Sequence, residues 1–112
     1  MRRVVRFDTI LAVVTEQLGI SRAQVLGGGR HRHVVLARSL VSYLTRELTA
    51  MSYPEIAAAL GRKSHSTILS ATHRIEDRLA RQPHDVIKLP HTGEQVKLSE
   101  LVERLRYEIG RA

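Results

Sequence analysis

Six consecutive residues, Arg62, Lys63, Ser64, His65, Ser66 and Thr67, set two cations, three hydroxyls and an imidazole side by side. The chemistry open to such a run is recognition. The hydroxyls of Ser64 and Ser66 can bond a phosphate or a base edge, His65 can reach a purine acceptor, and the Thr67 methyl can meet a thymine methyl. The bland alternative for Ser64 is a helix cap, and for Ser66 and Thr67 a solvated turn.

Catalysis would need other spacings. With no cysteine, disulfides, thiol chemistry and cysteine-bound zinc are excluded. The six histidines, His31, His33, His65, His73, His84 and His91, include no pair four apart around a glutamate, as a helical zinc hydrolase requires. Asp8, Asp77 and Asp85 have no motif spacing that would bring carboxylates together on a divalent metal. Residues Gly27 to Arg30 lack the lysine and hydroxyl of a phosphate-binding loop, so no nucleotide site, cofactor or metal is expected. The chain therefore reads as a binding protein and not an enzyme, which disfavours a nuclease or transposase fragment.

Charge is distributed unevenly. The net charge is +7, with 13 Lys and Arg against 6 Asp and Glu in residues 1–82 and five against five in residues 83–112. The whole surplus thus lies in the first segment, the footprint of a polyanion binder, because each cation set on a phosphate releases condensed counterions. An anionic membrane surface and an acidic protein are the other partners a basic chain admits. Apolar residues make up 43% of the 112, and no run approaches a membrane span. The start Met1, Arg2, Arg3 resembles a secretory leader, but Arg6 and Asp8 interrupt the apolar stretch. A cytoplasmic protein is expected.

The elements that must position the polar run follow from periodicity and caps. Ile10, Leu11, Val13, Val14 and Leu18 fit a helix capped by Asp8 or Thr9 and ended by Gly19. Ser21 can cap a short helix to Leu26, followed by a flexible loop of Gly27, Gly28 and Gly29 and a basic stretch of Arg30, His31, Arg32 and His33. Val34, Ala37, Val41, Leu44 and Leu48 recur three and four apart, one stripe of a long helix ending near Thr49. Ser52, Tyr53, Pro54 and Glu55 form a capping box opening a short helix. Gly61 ends it. Ser64 then caps a longer helix with Ile68, Ala71 or Thr72, Ile75 and Leu79 inward. Short helix, tight turn and long helix with a polar first turn make a helix-turn-helix. Beyond Pro83, the runs from Val86 and from Gln95 can pair as a hairpin, and Ser99 is placed to cap a last helix through Leu101, Val102, Leu105 and Ile109. The expected fold is an all-α bundle containing a helix-turn-helix over residues 1–82, with a C-terminal extension over residues 83–112. That extension could offer a homodimer contact, cover the helical core or remain partly ordered.

Several of these features occur together in one family. Arg30 to Arg38 lead into Leu44, Thr45, Arg46, Glu47, Leu48 and Thr49. Then come Ser52 to Ile56, Leu60 with Gly61, His65 to Leu69, and Arg74 with Ile75. In this order, from about Phe7 to Arg81, the chain resembles the C-terminal DNA-binding domain of the bacterial replication initiator DnaA, a Trp-repressor-like helix-turn-helix.

The resemblance implies sequence-specific binding of double-stranded DNA, with the helix after Ser64 in the major groove. It implies that Arg30, with Arg32 in the same basic arm, reaches the minor groove, and that Arg38 contacts DNA. The family's signature of an arginine followed by Asp-His-Thr-Thr falls on Lys63, Ser64, His65, Ser66 and Thr67, beside Arg62. Serine at 64 keeps a capping oxygen but not the carboxylate that accepts from cytosine, and lysine at 63 keeps charge without the bidentate fork. Arg74 suits a phosphate better than a base. A stand-alone transcriptional or mobile-element-associated regulator, or a protein-interaction module derived from the domain, are the alternatives.

Overall fold

A computed structural model describes residues 4–112; the Met1 to Arg3 start, on which the leader-peptide question turns, lies outside the described residues. Helix α1, Phe7–Leu18, buries Ile10, Leu11, Val14 and Leu18. Its N-cap is Arg6, without a side-chain cap bond, so neither Asp8 nor Thr9 fills the role expected of them. Asp8 instead lies in the first turn, where a carboxylate suits the helix dipole, and pairs with Arg22 at 3.0 Å. Helix α2, Arg22–Leu26, opens on a full capping box in which Ser21 and Gln24 satisfy each other's backbone amides. Helix α3, Arg32–Leu48, starts inside the stretch expected as basic loop, with the His31 ring accepting from His33 N–H.

Helix α3 is the central rod. Of the expected stripe, Val34, Ala37, Val41 and Leu44 are buried and Leu48 is half-buried, but Leu36, Leu40, Ser39, Ser42 and Thr45 are buried as well. The reason is that α1, α2, helix α4 (Tyr53–Ala59) and helix α5 (His65–Arg81) all pack on it. Of these buried hydroxyls, Ser42 bonds its own helix, donating to Arg38 O at 2.9 Å, while Thr45 Oγ1 meets no partner among the described residues.

The extension is a hairpin followed by a helix. Strands β1, Val86–Lys88, and β2, Gln95–Lys97, pair antiparallel with Ile87 opposite Val96; both residues point inward while their strand neighbours face water. Helix α6, Leu98–Arg111, begins one residue before the expected cap, and Ser99 falls in its first turn. No side chain caps it. Two orphan amides of that turn are met by the chain preceding β1: Leu98 N–H donates to Asp85 O at 2.8 Å and Ser99 N–H to Pro83 O at 3.0 Å. Helix α6 packs on α1, and Leu98, Leu101, Val102, Leu105 and Ile109 join Ile10, Val14, Leu40 and Leu44 in one hydrophobic cluster. Residues 83–112 thus cover the helical core. At the far side Arg106 reaches from α6 to Glu47 of α3 at 2.7 Å and to the Tyr43 hydroxyl at 3.0 Å. No helix of the described residues is long and apolar enough to cross a membrane.

Candidate nucleic-acid interface

The corner between α4 and α5 is built from backbone rules. Ser52 and Glu55 close the expected capping box at the start of α4. At its end Gly61 takes φ of 69°, the left-handed region where a Cβ is unfavourable. Gly61 N–H then donates to Ala58 O at 3.1 Å and Arg62 N–H to Ala57 O at 2.8 Å, the two bonds of a Schellman turn. The turn redirects the chain, and Ile56, Leu60, Ile68 and Ile75 bury the inner faces of both helices.

What remains outside is the polar first turn of α5. Lys63, Ser64, His65, Ser66 and Thr67 are all exposed, so the sequence run becomes one surface patch at a helix N-terminus. Ser64 does cap the helix: its hydroxyl accepts from Ser66 N–H at 3.3 Å and lies 2.6 Å from the Ser66 hydroxyl. Those two hydroxyls engage each other, whereas His65 and Thr67 point to solvent with no side-chain bond among the described residues. Arg74 is exposed farther along the same helix.

Arg62 does not join the patch. Its guanidinium turns back and donates to Gly27 O at 2.6 Å, in the glycine loop between α2 and α3. Arg38, from α3, converges on the same loop, donating through Nε to Val25 O at 2.9 Å and through Nη2 to Gly27 O at 2.9 Å and Gly29 O at 3.2 Å. The last carbonyls of α2 and the loop carbonyls beyond it are orphan acceptors at the negative end of a short helix, and two arginines satisfy them. Burial, and after it the neighbouring Arg62 charge, hold Arg38 below the usual arginine pKa. This double clamp is a feature the sequence reading missed; its one signal is a short helix running into three glycines with no side chain nearby to take their carbonyls. The clamp ties the turn of the helix-turn-helix to the segment carrying Arg30, and makes the glycine loop a held strap rather than a loose one. Arg30 and Arg32 are exposed at the start of α3, sharing a cleft with Val86 and Lys88 of the hairpin.

The family profile described as "Bacterial dnaA protein helix-turn-helix" matches residues 7–75, spanning α1 through most of α5. The chain belongs to this family. Among curated relatives, it is 35% identical over 97 residues to the chromosomal replication initiator protein DnaA of Pelobacter propionicus, covering 87% of this chain and 21% of that protein. It is 38% identical over 91 residues to the same-named protein of Herpetosiphon aurantiacus, covering 79% and 19%. With that of Thermus thermophilus it shares 37% identity over 83 residues, covering 74% and 19%. The chain thus spans about a fifth of the length of these DnaA proteins. A 97-residue match cannot fit within residues 1–75, so the likeness to DnaA extends into the hairpin segment, which the sequence resemblance had left outside.

Proposed function

We propose that this DnaA-family domain binds double-stranded DNA sequence-specifically, with the first turn of α5 in a major groove and Arg30 in the adjacent minor groove. The observation that carries the reading is the exposed patch from Lys63 to Thr67 at the α5 N-terminus, joined to the Arg30 segment by the Arg62 clamp. Helix-start amides favour a phosphate, His65 and Thr67 face outward for base edges, and Lys63, Arg32 and Arg74 stand as phosphate contacts. Arg38 and Arg62 serve by holding the arm's loop in place. The domain acts as a binding module without catalysis, in the cytoplasm and on the nucleoid. As in the initiator proteins it resembles, its work is at a replication origin. The serine at 64 and lysine at 63 favour a second reading, a regulator with a shifted target sequence.

The test is titration of labelled duplexes, one carrying the initiator's AT-rich box and one scrambled, at several salt concentrations. Log affinity falls with log salt by about 0.9 for each phosphate neutralised. Arg30→Ala weakens the box duplex, and His65→Ala narrows the gap between box and scrambled by about 1–3 kcal/mol. A flat salt dependence, or equal affinity of the parent chain for both duplexes, would refute the reading.

A further inference from the structure

The arm segment, the hairpin and Arg78 near the end of α5 enclose a cleft separate from the polar first turn of that helix. It holds about 710 Å³ and is lined on one side by Arg30, Arg32 and His33 and on the other by Val86 and Lys88. The hairpin is held there by a specific bond: His33 Nε2 meets Lys88 O at 3.0 Å. Strand alternation does the rest, because Ile87 turns into the core and leaves Val86 and Lys88 facing out. The one carboxylate lining the cleft is Asp85, and it is taken by Arg78 at 3.4 Å. Among the described residues Arg30, Arg32 and Lys88 have no ion-pair partner, so three cations line a concave surface whose own acid is already matched.

We propose that this cleft is a second DNA-backbone site, in which Lys88 of the hairpin joins Arg32 on phosphates beside the minor groove that Arg30 enters, flanking the base pairs read by α5. The proposal rests on the DNA-binding reading above and extends it to residues beyond the profile match at 75. An open, exposed row of long cationic side chains suits a continuous polyanion, since each cation gains by releasing counterions from a charged rod. Lys88 supplies a point charge without a fork, which suits a phosphate and carries no base preference. Because Arg30 borders both the cleft and the arm that enters the minor groove, a strand leaving that groove passes Lys88.

Two duplexes separate the sites. One is trimmed to about one helical turn around the box, and the other carries the same box with one further turn on each side. Lys88→Gln in the full chain should weaken the flanked duplex by about 3- to 10-fold and lower its salt slope by about 0.9, while leaving the trimmed duplex unchanged. Parent-like affinity for the flanked duplex, or an equal loss on both, overturns the cleft. Lys88 is exposed on a strand edge, and an unaltered circular dichroism spectrum checks that the variant folds. The two readings fail separately: a parent chain that prefers the box while Lys88→Gln changes nothing removes the cleft alone, and a parent chain blind to the box removes the groove reading.

Discussion

Arg62 and Ser64 stand two residues apart and face opposite tasks. Arg62 gives its guanidinium to Gly27 O, so on the proposed DNA-binding reading its influence on DNA would run through the segment bearing Arg30. In a double-mutant cycle on the box duplex, Arg62→Lys should weaken binding in the parent background and much less in an Arg30→Ala background, a coupling of about 0.5–3 kcal/mol. Additive losses would mean that Arg62 touches DNA directly. Ser64 caps α5 with a neutral oxygen. Ser64→Asp keeps a capping acceptor and adds a negative charge at the positive end of the helix dipole, so the melting temperature should rise by an amount equivalent to about 0.3–1 kcal/mol. On DNA the same variant should strengthen preference for a cytosine opposite position 64. A lower melting temperature would show that the Ser64–Ser66 hydroxyl pair stabilises the turn more than the dipole interaction does.

At the scale of elements, two helices end on left-handed glycines with different surroundings. A Cβ at Gly61, φ 69°, would meet only Leu26 O at 3.9 Å, whereas a Cβ at Gly19, φ 66°, would run into the His91 ring from the hairpin loop. In urea unfolding Gly61→Ala should therefore lose about 1–2 kcal/mol, the left-handed backbone cost alone, and Gly19→Ala more. If His91 swings clear, the two losses become equal. Both terminators were legible in the sequence, as were the Ser21, Ser52 and Ser64 caps, because these signals act within a few residues. The starts of α1 and α6 were not. Arg6 and Lys97 cap by backbone alone, and the amides of α6 find carbonyls at Pro83 and Asp85, more than ten residues upstream. The full breadth of the buried face of α3 was illegible for a similar reason, since burial of Leu36 and Leu40 depends on which other helices surround that rod.

For the whole molecule, the apolar face of α6 is turned onto α1, which leads us to expect a monomer. The Cα radius of gyration is 13.1 Å, against about 13 Å for a single compact domain of this length. Light scattering of the full chain should return the monomer mass; a dimer mass would mean that residues 83–112 offer a partner surface as well as an internal one. A version ending at Gln82 should lose cooperative unfolding or melt far lower, because Ile10, Val14 and Leu18 would lose the apolar cover of Leu101, Leu105 and Ile109. The sequence by itself determined the helix-turn-helix, its polar first turn and the localised positive charge, all properties of residue type and short-range spacing. Only the tertiary structure decided where the arginines point, because Arg38 and Arg62 answer to carbonyls 11 and 35 residues away. It alone set the hairpin beside the arm, since that neighbourhood depends on a histidine and a carbonyl 55 residues apart. Pairings over such distances are fixed by the folded core and by no local pattern.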